Sequence, residues 1–250
     1  MSILVVGSVA FDSIKTPFGV ADDVLGGSAC YFSTAASFFT DVNLVAVVGD
    51  DFPQQHIDFL KSRNIDLAGL QKSRGDTFRW KGRYDYNLNE AHTLETHLNV
   101  FESFQPVLPE NYRDAEYVFL ANIDPELQLE VLQQVKNPKL VACDTMNFWI
   151  EGKKAELIKT LAKVDILIIN EAEVRQLADE PNLLKAAAIV RSFGPATLVV
   201  KQGEYGVLMF GEGSIFSAPA YPLEEVFDPT GAGDTFAGCL LYTSPSPRDS

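Results

Sequence analysis

Short runs of β-branched and apolar residues recur along the chain, separated by stretches with helical spacing, and this alternation limits the fold more than any other feature. Residues 3–6, 44–48, 117–120, 140–143, 166–169 and 198–200 read as strands. Residues 29–39, 53–63, 127–135, 154–163 and 183–193 read as helices. Strands apolar on both faces need cover on both, so the pattern predicts an α/β fold whose mostly parallel central sheet lies between helical layers. Ligands of such folds collect at the carboxyl edge of the sheet. Polar residues that follow the strands are therefore the first to weigh.

Two segments break the rhythm. Residues 77–86 and 92–101 alternate like extended chain around the connection 87–90, yet are too polar for core strands. They read as a small β-excursion, either a lid over a site or a surface hairpin without a role. At the far end, residues 242–250 resemble translated sequencing adapter joined to a truncated reading frame, the alternative being a genuine disordered tail. Pro245 and Pro247 cannot continue the helix that opens near Gly233, so this tail stands outside the fold reading.

Charge excludes whole classes of partner. The chain carries 34 acidic against 20 basic residues, a net charge of −14. It lacks the basic surface that nucleic acid or an anionic membrane would demand. No apolar run approaches the roughly 18 residues of a membrane helix. No signal-peptide pattern opens the chain, and Cys30, Cys143 and Cys239 are odd in number and widely spaced. Free thiols in a reducing compartment, and hence a cytoplasmic location, are expected.

The chemistry gathers in a few strings. Residues 228–238 (Asp228-Pro229-Thr230-Gly231-Ala232-Gly233-Asp234 and on to Gly238) place two glycines at a helix start. Backbone N–H groups can turn there toward one anion such as a phosphate, helped by the helix dipole. Asp234 would sit beside that anion and could take a proton from an attacking hydroxyl; alone, it would read as a cap. Asp12, at the end of the first strand, can accept hydroxyl donors from a sugar or simply hold a turn. Gly26 and Gly27 permit close backbone approach to a ligand or make a plain turn. Asn170 and Glu173 follow a strand and offer oxygen ligands suited to Mg²⁺, though as isolated residues they would read as a helix-start pair. Lys201 could reach a phosphate or snorkel from a strand end. Asp144 and Asn147, which follow another apolar strand, are expected as second-rank contacts near the phosphates or substrate at the same edge. There is no P-loop and no G-x-G-x-x-G after the first strand, and His92 and His97 have no cysteine partners for zinc.

Together these strings resemble the ribokinase-like, PfkB-type carbohydrate and nucleoside kinases. The match runs through Gly7–Asp12, Gly26–Ala29, Val48–Asp51, Asn170–Glu173, Lys201–Gly206 and Asp228–Gly238. It implies a three-layer sandwich in one domain over 1–241, with a small β lid at about 12–28 and 74–104. It implies an ATP-dependent phosphotransferase acting on a hydroxyl of a small sugar, with ATP and Mg²⁺ as cofactors and a monovalent cation near Asp228 and Thr230. Asp234 would be the base, with Gly231, Ala232 and Gly233 as the anion hole. Asp12, Gly26, Gly27 and Asp234 would hold the substrate. Asn170, Lys201, Gly203, Gly206, Thr230, Gly231 and Gly233 would hold the nucleotide, and Glu173 with Asn170 the magnesium, through water. The alternatives are a nucleoside kinase of the same fold, stacking a base near Phe11 and Tyr31, or a non-catalytic ligand-binding or regulatory relative. The lid edge offers a homodimer contact. One departure stands out: the family often carries an asparagine shortly after the di-glycine, where this chain has Cys30-Tyr31-Phe32, residues that line the pocket or fill the core. By the same resemblance, closing helices and part of the adenine pocket would lie in missing chain, leaving the fragment inactive and less stable.

Overall fold

The computed structural model describes residues 2–243, so the expected tail lies outside the described residues except for its first two positions. The main sheet holds nine strands: β1 (Ser2–Val6), β4 (Asp41–Val48), β5 (Ile65–Lys72), β8 (Tyr117–Leu120), β9 (Leu140–Cys143), β10 (Ile166–Asn170), β11 (Thr197–Lys201), β12 (Val207–Gly211) and β13 (Ser214–Ala218). Their order is β13-β12-β11-β10-β9-β8-β1-β4-β5. Every pairing from β5 through β11 is parallel, and the last two pairings, β11 with β12 and β12 with β13, are antiparallel at one edge.

Alternation along each strand feeds two separate cores. Leu4 and Val6 of β1 join Val131, Leu157, Val174 and Val190, from α3 (Pro125–Gln134), α5 (Lys154–Leu161), α6 (Glu171–Ala178) and α7 (Leu183–Arg191). Ile150 of the short α4 (Asn147–Gly152) belongs to the same side. Ile3 and Val5 join Ala29, Phe32, Leu60 and Ala237, from α1 (Ser28–Ala36), α2 (Gln54–Ser62) and α8 (Ala232–Thr243). The result is the α/β layering expected from strands apolar on both faces.

A second, four-stranded sheet is built from β2 (Ala10–Thr16), β3 (Gly19–Gly26), β6 (Arg79–Tyr84) and β7 (Ala91–His97), in the order β3-β2-β6-β7. Two expectations are corrected here. Asp12 lies inside β2, not at the end of the first strand. The extended stretch expected to reach residue 101 ends at His97. Asn99, with φ of 51°, breaks it, and the following turn of 3₁₀ helix (Asn99–Ser103) buries both Val100 and Phe101 in the main core. Adjacent apolar residues cannot both be buried on a strand with one wet face. Among the described residues no helix is long and apolar enough to cross a membrane.

Candidate active site

Two helix starts converge. Gly238 of α8 lies so close to α1 that a Cβ there would stand 2.6 Å from the Phe32 carbonyl and 3.1 Å from Ala35 Cβ. Small residues thus let the two helices meet backbone to backbone. The start of α1 is tied to the end of β1: Ser28 N–H donates to Ser8 Oγ at 3.1 Å and Ala29 N–H to the Ser8 carbonyl at 3.0 Å. Residues from both ends of the chain therefore share one edge of the sheet.

On the α1 side sits Asp12, 4% exposed. Its Oδ2 accepts the Tyr31 hydroxyl at 3.0 Å and the Gly27 N–H at 3.4 Å. A Cβ at Gly26 would overlap the Asp12 carboxylate, while Gly27 has φ of 94° and a Cβ there would stand 2.5 Å from the Ser8 carbonyl oxygen. The two glycines thus serve different needs, room for a carboxylate and a left-handed turn. Burial pushes Asp12 up to about 6, with Asp228 adding repulsion and the Tyr31 and Gly27 hydrogen bonds opposing.

On the α8 side, Gly231 has φ of 74°, and the turn before it is set by Thr230 N–H donating to Asp228 Oδ1 at 2.9 Å. The anion hole needs one correction. The Ala232 N–H is donated to the Pro229 carbonyl at 3.1 Å, so it is not free for a ligand. The N–H groups of Gly231 and Gly233 have no acceptor among the described residues. Thr230 Oγ1 lies 3.4 Å from the hydroxyl of Tyr84, which reaches across from the second sheet.

Asp234 heads a cluster of acids around one cation. Burial, Asp144 and Asp12 hold its carboxyl well above the ordinary range, and Lys201 opposes. Lys201 Nζ lies 3.9 Å from Asp144 Oδ1, and a Cβ on Gly233 would stand 2.9 Å from that nitrogen. Asp144, Glu173 and Asp234 together raise the Lys201 ammonium despite its burial. Asp144, expected as a secondary contact, is thus central, whereas Asn147 is exposed and, among the described residues, accepts only the local Phe148 N–H, at 3.0 Å.

Asn170 and Glu173 form a reciprocal capping box on α6: Glu173 N–H donates to Asn170 Oδ1 at 2.8 Å, and Asn170 N–H to Glu173 Oε2 at 2.9 Å. Burial and Asp144 push Glu173 up to about 7. Its second oxygen remains for a cation, and added positive charge would relieve the strained acids. Among the described residues no three His, Cys, Asp or Glu side chains are grouped to cage a metal. The chemistry of the pair fits Mg²⁺ held through water.

Gly203 and Gly206 shape the turn after β11, with φ of 59° and 106°. Gly203 is covered by Asn89, and Gly206 packs on the backbone of residues 218–220. Phe11, a proposed stacking surface, has the Arg79 guanidinium over its ring at 4.8 Å and Phe52 at 5.8 Å. Nothing in the sequence marks Tyr84 or Asn89 as a site residue. Both lie on polar strands or turns, and only the fold shows what they reach.

A model of the pfkB family carbohydrate kinases matches residues 4–247. The cytidine kinase of Thermococcus kodakarensis is 30% identical over 247 residues, covering 96% of this chain and 87% of that protein. The bifunctional protein HldE of Helicobacter pylori is 27% identical over 242 residues, and the chain spans only 50% of its length. An E. coli ribokinase II candidate solved with ATP and Mg²⁺ superposes with a TM-score of 0.79 at 18% identity, covering 96% of this chain and 85% of that one.

Proposed function

The chain belongs to the pfkB family of carbohydrate kinases, and on that premise we propose that it transfers the γ-phosphoryl group of ATP to a hydroxyl of a small sugar. What supports this reading is that Asp12 of β2, hydrogen-bonded to Gly27 and Tyr31 at the start of α1, lies close enough to Asp234 in the first turn of α8 for the two carboxyls to repel. In this reading Asp12, with Gly26 and Gly27 behind it, holds the acceptor under cover of the second sheet. Asp234 takes the proton of the attacking hydroxyl. The Gly231 and Gly233 N–H groups meet the charge that develops on the transferred group. Lys201 balances the acids, and Thr230 and the turn at Gly203–Gly206 face the nucleotide. Asn170 and Glu173 would hold magnesium through water, and the ion would supply positive charge beside the phosphates.

A second reading, with a nucleoside as acceptor, is favoured by the likeness to the cytidine kinase. Phe11 is already covered by Arg79, so a base would have to stack elsewhere. The test is ADP release from ATP, across a panel of free sugars and nucleosides, by the chain extended with a family-like carboxyl terminus. At least one acceptor is expected to turn over, and its class selects between the two readings. Asp234→Asn should lower kcat by about 10²–10⁴ with little change in acceptor KM. Near-normal turnover in that variant would reduce Asp234 to a helix cap and remove the mechanism.

A further inference from the structure

Tyr31 touches both halves of the site. It stands in the first turns of α1, its own N–H donated to the Gly27 carbonyl at 3.1 Å, so the backbone that carries it is fixed to the di-glycine turn. Its ring lies against Gly231: a Cβ there would stand 2.5 Å from Cδ1 and Cγ and 2.6 Å from Cδ2. Only glycine fits over that ring, so the ring of Tyr31 and the turn at Gly231 are in direct contact. At its far end the hydroxyl donates to Asp12 Oδ2 at 3.0 Å. The Gly27 N–H points to the same oxygen, and Oδ1 accepts no hydrogen bond among the described residues.

We propose that Tyr31 is a positioning residue, a strut between the acceptor carboxylate Asp12 and the Gly231 turn. It presents Oδ1 alone to the acceptor and sets the distance from the acceptor hydroxyl to the anion turn. The inference rests on the kinase reading above for what the two ends bind, and on the contacts alone for the strut itself. It gives Tyr31 a task where the family resemblance expects an asparagine nearby: one Asp12 oxygen is spent inside the protein, so the acceptor meets a single oxygen.

The charged and titratable groups that face Asp12 are Asp228, Asp234, Tyr84, Cys30 and Tyr31 itself. Of these, Tyr31 supplies a hydrogen bond that stabilises the ionised Asp12; the two aspartates oppose ionisation. Removing that one hydroxyl should therefore raise Asp12 further.

Tyr31→Phe keeps the ring and deletes the hydroxyl. Acceptor KM should rise about tenfold, as expected for losing a hydrogen bond to a charged group, while kcat and the KM for ATP stay within about threefold. The acid limb of kcat/KM for the acceptor should move to higher pH. Tyr31→Leu removes the ring as well, so its kcat should fall and its KM for ATP should rise. A direct readout needs no turnover: side-chain carboxyl NMR of ¹³C-labelled aspartates, with Asp12 assigned by its loss in Asp12→Asn. The Asp12 midpoint should rise in the unliganded Tyr31→Phe protein. An unchanged midpoint overturns the inference, whatever the turnover. A moved midpoint in a protein that phosphorylates no acceptor keeps the strut and discards the kinase reading instead.

Discussion

At the scale of single residues, space decides as much as charge. Gly19 and Gly26 both belong to β3, yet a Cβ at Gly19 would meet nothing within 4 Å, while one at Gly26 would overlap the Asp12 carboxylate. Neither has a positive φ, so backbone strain does not separate them. Gly26→Ala should push Asp12 off its Tyr31 and Gly27 partners and raise acceptor KM about tenfold or more, and Gly19→Ala should leave it unchanged. Steady-state KM values for acceptor and ATP, measured separately, check this; equal effects of the two substitutions would mean that Asp12 swings aside freely. The same contrast explains what is legible in a string of letters. A di-glycine announces a turn, but that one glycine makes room and its neighbour makes the bend depends on a carboxylate fourteen residues upstream in a paired strand.

At the scale of elements, the connection between β6 and β7 reaches the turn after β11. Asn89 Oδ1 accepts the Glu204 N–H at 3.1 Å, and its Nδ2 donates to Glu204 Oε1 at 3.2 Å. With Tyr84 beside Thr230, this gives the second sheet two polar contacts to the segments assigned to the nucleotide. Asn89→Ala removes one of them, and each lost hydrogen bond is worth about 0.5–1.5 kcal/mol. Calorimetric titration of nucleotide with and without acceptor should show that acceptor tightens nucleotide binding in the parent protein. In Asn89→Ala that tightening should shrink by about three- to tenfold. An undiminished coupling would separate the two sheets. The parallel strands at the centre are readable from sequence because Leu4, Val5 and Val6, or Leu167, Ile168 and Ile169, are apolar on both faces. The edge strands β12 and β13 are not, since Ile215 and Phe216 stay exposed and follow no inside-outside rule. Asp144, Tyr84 and Asn89 escape for another reason: their partners are far away in sequence, and no spacing marks them.

For the whole molecule, the site stores unfavourable charge. Asp12 and Glu173 titrate near 6 and 7 in the fold, against 3.8 and 4.5 for the free side chains. The folded state therefore binds more protons than the unfolded chain across that window, and stability falls as pH rises through it. Asp12 alone corresponds to roughly 3 kcal/mol. The unliganded protein should melt at a higher temperature at pH 5 than at pH 8, and Asp234→Asn, which relieves Asp144 and Asp12, should raise Tm more at pH 8 than at pH 5. Scanning calorimetry at the two pH values checks this, and equal gains at both would show that the acids do not repel. The second sheet carries a different consequence, for how the chain folds. Its two central strands, β2 and β6, are paired in parallel, Phe11 beside Arg79 and Lys15 beside Arg83, although they leave the main sheet after different strands. A hairpin can close locally, but this pair can only meet once β1, β4 and β5 have brought both departures to the same edge. Substitutions across the β2–β6 seam should therefore quicken unfolding and leave the folding rate nearly untouched, marking this sheet as a late arrival on the folding path.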